Sequence, residues 1–137
     1  MLPILLLDIS AMDANDLKGK SGLTRLINAC KYSRQGILAA WKSEEAFREE
    51  LTVSAILIPV ALLLPAPFIY RLAAVSSLLI LIIVELLNSG IEACIDRIGP
   101  EIHPKSGFAK DVGSAAVLFA IANAVLVWCA LLWNAIF

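Results

Sequence analysis

The chain has 137 residues, 60% of them apolar and 17% charged, with a mean hydropathy of +0.84. That excludes an ordinary soluble domain, which is about half apolar and a quarter charged, and a disordered or collagen-like chain. The length permits one domain, and a net charge of −1 provides no basic field for nucleic acid.

Residues 1–21 read as an N-terminal extension, flexible or lying on a surface. Met1 to Leu7 is apolar but short, has no cationic start and meets Asp8 at once, which makes a poor signal peptide. Gly19-Lys20-Ser21 ends like a phosphate-binding loop, but Ala14 stands where the pattern GxxxxGK[ST] needs Gly. Residues 22–48 place Leu23, Leu26, Ile27, Cys30, Ile37, Leu38, Trp41 and Phe47 among many charges. That spacing predicts an amphipathic helix on a membrane surface, with a turn near Ser33–Gly36.

Three apolar runs follow. Leu51 to Tyr70 is uncharged, Leu72 to Ile95 carries only Glu85 and Glu92, and Val112 to Phe137 is uncharged. Each has the roughly 20 residues that a helix needs to cross a bilayer. Helices alone satisfy their own backbone within one segment there. The expected fold is all-α and integral to the membrane, with spans at about 51–70, 72–95 and 112–135. Pro65 and Pro67 should end the first helix, and Arg71 separates the first two as a tight hairpin. Gly113, Ser114, Ala115 and Ala116 open the third span with small residues suited to close helix contact. Trp128 and Trp133 lie near its far end, where aromatic rings favour the interface.

Cationic residues set the orientation. Seven (Lys18, Lys20, Arg25, Lys31, Arg34, Lys42 and Arg48) precede the first span, and three (Arg97, Lys105 and Lys110) lie between the second and third, against Arg71 alone in the hairpin. Ten against one puts the N-terminus and the second loop in the cytoplasm and the C-terminus outside, in a bacterial cytoplasmic (inner) membrane. Cys30, Cys94 and Cys129 have no metal or redox spacing.

The second span carries the chemistry. At about 100° per residue, Glu85, Asn88, Glu92 and Asp96 share one face, a polar stripe rising roughly 16 Å toward the cytoplasm. A carboxylate at membrane depth costs several kcal/mol unless paired, protonated or hydrated, so such a stripe reads as a functional site. Glu85, the deeper of the two glutamates, suits a general base. Glu92, nearer the interface, suits a divalent cation, since Mg²⁺ takes one or two carboxylates plus phosphate and water. Glu44, Glu45, Glu49 and Glu50 ordinarily form a solvated face, yet one of them could share a cation with Glu92. Lys110 reads equally as a snorkelling helix anchor or a phosphate ligand, and His103 as a surface residue.

Glu85-Leu-Leu-Asn88-Ser-Gly-Ile-Glu92-Ala with Asp96-Arg97, then His103, Ala109-Lys110-Asp111 and Gly113-Ser-Ala-Ala116, resembles the prokaryotic diacylglycerol kinase family. Ala40-Trp41, Glu44, Ala46-Phe47-Arg48 and Glu50 fit the same family, and the match runs from about Gly22 to Trp133. The resemblance implies a lipid kinase domain over residues 22–137, acting as a homotrimer with active sites shared between subunits. It implies ATP as co-substrate, Mg²⁺ as cofactor, diacylglycerol as lipid partner and phosphatidic acid as product. By position, Glu85 takes the lipid hydroxyl proton and Asn88 orients the reacting groups. Glu44 and Glu92 hold the Mg²⁺ of Mg-ATP. Arg25, Tyr32, Glu101, His103, Lys110 and Asp111 contact nucleotide or organise its site, and Ser114 and Arg25 lie near the lipid. Family members often carry Tyr at Ile102 and Arg at Phe108, so those side chains supply no polar contact here.

Two alternatives stand beside this reading. Undecaprenol kinase, of the same family, resembles Asn-Thr-Ala-Ile-Glu where this chain has Asn88-Ser89-Gly90-Ile91-Glu92. A small proton-coupled transporter also uses membrane glutamates. Its polar path should continue outward, whereas the third span has only Asn123 and Asn134 beyond Ser114.

Overall fold

The computed structural model describes residues 22–99, 101 and 103–137, and the regular structure among them is entirely helical. The readings placed on residues 1–21, including Gly19-Lys20-Ser21, and on Ile102 lie outside the described residues. Contacts divide the chain into two units, Met1–Ala39 and Ala40–Phe137.

The first unit, where described, is the body of helix α1 (Gly22–Ser43). Leu23, Leu26, Ile27, Ile37 and Leu38 are exposed along it. The turn expected near Ser33–Gly36 does not form, and the helix runs through it. Gly36 costs a helix interior only about 1 kcal/mol relative to Ala, and no proline stands there to break it.

The break comes instead at Glu44, whose extended backbone (φ −104°, ψ 117°) caps helix α2 (Glu45–Leu63). The Arg48 guanidinium donates back to the Trp41 carbonyl at 3.2 Å. It thus satisfies one of the orphan acceptors at the end of α1, where a cation also favours the helix dipole. Helix α2 ends two residues before Pro65, because proline pushes the preceding Leu64 into extended geometry. Pro59 is accommodated inside the helix.

Helix α3 (Phe68–Ile98) starts on Pro67. Arg71 therefore lies in the first turn of α3 and not in the connection. From there its guanidinium donates to the Leu62 carbonyl at 3.0 Å, tying down the end of α2. Helix α4 (Pro104–Ile136) completes the unit. Proline opens it at a position that needs no N–H, and His103 Nδ1 accepts from the Lys105 N–H at 3.2 Å.

Helices α3 and α4, of 31 and 33 residues, hold 18-residue stretches of mean hydropathy 2.2 and 2.4 and are long and apolar enough to cross a membrane. At 1.5 Å per residue each exceeds the roughly 30 Å hydrocarbon core by a few turns. Their buried residues recur in steps of three, four and seven. Ala74, Leu78, Leu81 and Glu85 are buried on α3, and Gly113, Ala120, Ala124 and Leu131 on α4. Helix α2 buries Phe47, Ser54 and Ala61, one every seven residues. This repeat keeps one stripe of each helix facing its neighbours.

Small side chains dominate these stripes because apolar surface gains little by leaving lipid for protein, so association relies on close packing. Ala61, Ala74 and Leu131 form the core near one end, with Leu64, Ala66, Tyr70, Val75, Val127 and Trp128 packed around them. Leu79, Ile83, Leu118, Phe119 and Leu126 point outward and are exposed, as a lipid-facing surface requires. Cys30, Cys94 and Cys129 are free and exposed.

Candidate active site

The buried stripe of α3 does not end at Glu85. Continued by three and then four residues, it passes through Asn88 and Glu92. The site is thus the polar continuation of the face that packs the helices. Exposure rises along it: Glu85 is 5% exposed, Asn88 and Glu92 are half-buried, and Asp96 is exposed.

Glu44, Ala46, Glu85, Asn88, Ser89, Glu92, Ser114 and Val117 line an open cleft of about 260 Å³. The bend at Glu44 contributes the first two residues, α3 the next four and α4 the last two. Asn88 Nδ2 donates to Glu92 Oε1 at 3.1 Å, one helical turn along. Ser43 Oγ donates to Glu44 Oε1 at 3.0 Å. Among the described residues no hydrogen-bond donor reaches the Glu85 carboxylate. A buried, unpaired carboxylate is costly, and Glu85 lines an open cleft.

Among the described residues, no three His, Cys, Asp or Glu side chains converge as a metal-binding group. The donor set nevertheless fits Mg²⁺. Carboxylate oxygens of Glu44 and Glu92 border a cleft with room for phosphate and water, and Mg²⁺ draws most of its ligands from those.

The other expected residues fall into distinct places. Glu101 and His103 lie in the α3–α4 connection and line a second open cleft, of about 580 Å³, with Ile95, Ile98, Gly99, Lys105 and Ser106. Lys110 and Asp96 pair across α3 and α4 at 2.6 Å, with side chains 38% and 65% exposed. Asp111 is exposed on α4. Arg25 and Tyr32 belong to the first unit and are exposed on α1. An exposed ion pair contributes little. Asp96→Asn is therefore expected to leave the melting temperature almost unchanged, measured by thermal unfolding in detergent.

Two residues were not singled out by sequence. Ser89 lines the cleft with its Oγ buried and unpartnered. Glu50, assigned to a solvated acidic face, has a buried, unpartnered Oε2. It sits just ahead of the apolar run, and burial, then the Glu85 carboxylate, push it up to about 7. The signal was there: Glu50 falls three residues after Phe47 and four before Ser54, on the buried stripe of α2.

A carboxylate raised on folding binds more protons folded than unfolded, so its contribution to stability falls as pH rises from 4.5 to about 7. Glu50→Gln should remove that fall. The variant's melting temperature, followed over the same interval, is expected to decline less than the parent's.

The chain matches the family model described as prokaryotic diacylglycerol kinase over residues 31–132. It is 50% identical to a diacylglycerol kinase of Escherichia coli (strain K12) over 114 residues, covering 83% of this chain and 93% of that one. It is 46% identical to a diacylglycerol kinase of Haemophilus influenzae, covering 82% of this chain and 96% of that one. A diacylglycerol kinase of Pseudomonas aeruginosa is 44% identical, with 88% of this chain and 98% of that one covered.

Proposed function

The chain belongs to the prokaryotic diacylglycerol kinase family, and from that premise we propose that it phosphorylates the free hydroxyl of diacylglycerol with ATP, giving phosphatidic acid at the cytoplasmic face of the bacterial inner membrane. The observation that carries this reading is the cleft that gathers Glu44, Glu85, Asn88, Glu92 and Ser114 from the α1–α2 bend, α3 and α4.

In this reading the lipid hydroxyl enters the cleft beside Ser114 and Glu85, with Arg25 also contacting lipid. Glu85 removes the hydroxyl proton as the oxygen attacks the γ-phosphorus. The bond to the β-phosphate oxygen breaks and ADP leaves. Glu44 and Glu92 hold Mg²⁺, which when bound neutralises phosphate charge. Asn88 orients Glu92 through the hydrogen bond between them. Lys110 and Asp111, at the head of α4, and Glu101 and His103, in the second cleft, organise the nucleotide with Arg25 and Tyr32. Phosphoryl transfer needs mainly positioning and charge neutralisation, so a few side chains on three helices suffice.

The proposed topology has three spans, the first beginning at about Leu51 within α2, with a cytoplasmic N-terminus and an external C-terminus. Residues 22–137 form the kinase domain, 1–21 an extension, and three copies share their active sites. The ten-to-one division of cationic residues supports the orientation.

A competition assay tests the substrate. Purified protein in mixed micelles receives Mg-ATP with equal amounts of diacylglycerol and undecaprenol. Phosphatidic acid as the product supports the proposal. Undecaprenyl phosphate as the sole product transfers the activity to the other lipid, and neither product rejects a lipid kinase.

A further inference from the structure

Gly113 is buried on α4, in the stripe that meets α3. A Cβ built on it would collide with Asn88 Oδ1 and lie 3.3 Å from Asn88 Cγ. Gly22, Gly36, Gly90, Gly99 and Gly107 have nothing within 4 Å of the same position. Among the described glycines, then, the missing side chain is filled by a neighbour only at Gly113, and the neighbour is a residue of the cleft.

The Asn88 amide is held from two sides. Its Nδ2 donates to Glu92 Oε1. Its Oδ1 is buried against Gly113 without a hydrogen-bond donor. The opposite orientation would turn the amide oxygen toward the Glu92 carboxylate, two acceptors face to face. The space over the Gly113 Cα is thus where the amide oxygen rests while the nitrogen reaches Glu92.

We propose that Gly113 is a positioning residue for phosphoryl transfer: the space left by its absent side chain seats the Asn88 amide, and through Asn88 it fixes the Glu92 carboxylate. The proposal rests on the lipid kinase reading, in which Glu92 holds the cation. The atom a new Cβ would meet is the far end of a rotatable side chain. Asn88 can swing aside without moving a helix, so Gly113→Ala should spare the fold and disturb the site. Ala120 and Ala124, buried further along α4, do not line the cleft.

The test is a double-mutant cycle with Mn²⁺ as a spectroscopic probe of the cation site, read by electron paramagnetic resonance on the full-length protein with a nucleotide analogue. Gly113→Ala should weaken Mn²⁺ binding about tenfold, the size seen when an outer partner of a metal ligand is lost, with melting temperature and oligomeric state unchanged. Asn88→Ser shortens the side chain and keeps a donor. In that background Gly113→Ala should change Mn²⁺ affinity by less than about twofold, since nothing remains to displace.

Equal effects of Gly113→Ala in both backgrounds, or a Mn²⁺ loss that tracks a fall in melting temperature, would overturn the proposal and leave Gly113 a helix-packing residue. Unchanged Mn²⁺ affinity in Gly113→Ala would overturn it too. Failure of the underlying reading looks different: the unaltered protein phosphorylates no lipid, whatever the cycle shows.

Discussion

Glu85→Gln is expected to lower lipid phosphorylation by about 10²–10⁴-fold, the range that a positioned general base supplies, while Mg-ATP still binds. Glutamine keeps the size and hydrogen-bonding capacity of the side chain and removes its ability to take a proton. Glu85 is buried to 5% exposure and lines the open cleft, so in the proposed reaction it would meet a lipid hydroxyl with little competition from water. Its loss leaves Glu44 and Glu92, the proposed cation ligands, in place. The separation is therefore diagnostic: turnover falls while nucleotide affinity, measured by calorimetry in detergent, stays. Near-normal turnover would remove Glu85 from the role of base.

Glu92→Gln is expected to act on the metal. The substitution keeps an acceptor for the Asn88 Nδ2 hydrogen bond but discards the negative charge that, in the proposed site, would hold a divalent cation. The Mg²⁺ concentration for half-maximal activity should rise by about ten- to a hundredfold, with turnover partly recovered at high Mg²⁺. A Mg²⁺ titration of the variant against the parent decides it, and an unchanged midpoint would take Glu92 out of the cation site. The contrast with Glu85→Gln, which excess Mg²⁺ should not rescue, distinguishes the two carboxylates about two turns apart on α3.

Those two residues were legible in the sequence for a physical reason. A charge inside an apolar run has no structural excuse, and helical periodicity alone places Glu85, Asn88 and Glu92 on one face. The helices were legible too, since twenty uncharged residues leave few alternatives and proline marks where one must stop, as it does ahead of Pro65. What needed the structure was tertiary. Gly113 read as a small residue for close approach, which it is, but nothing local says that the side chain filling its space is Asn88, twenty-five positions earlier. Glu50 read as solvated because clustered acidic residues usually form a solvated face, as the exposed Glu45 and Glu49 do, and only the burial of Phe47 and Ser54 shows which face of α2 turns inward. The missed break is similar. Ser33–Gly36 pairs a Ser with a Gly and Ser43–Glu44 has no Gly or Pro, yet the chain bends at Glu44, where Arg48 closes the end of α1. That bend brings Glu44 into the cleft.

The most direct measurement follows the γ-phosphate itself. Purified protein, diacylglycerol and γ-radiolabelled Mg-ATP are incubated in mixed micelles, and label in the extracted lipid is counted over time for the parent chain and Glu85→Gln. The account predicts that label passes into phosphatidic acid with the parent, requires Mg²⁺, and is nearly absent with the variant. Label that stays wholly in the aqueous phase with the parent, or enters lipid equally fast with Glu85→Gln, would contradict it.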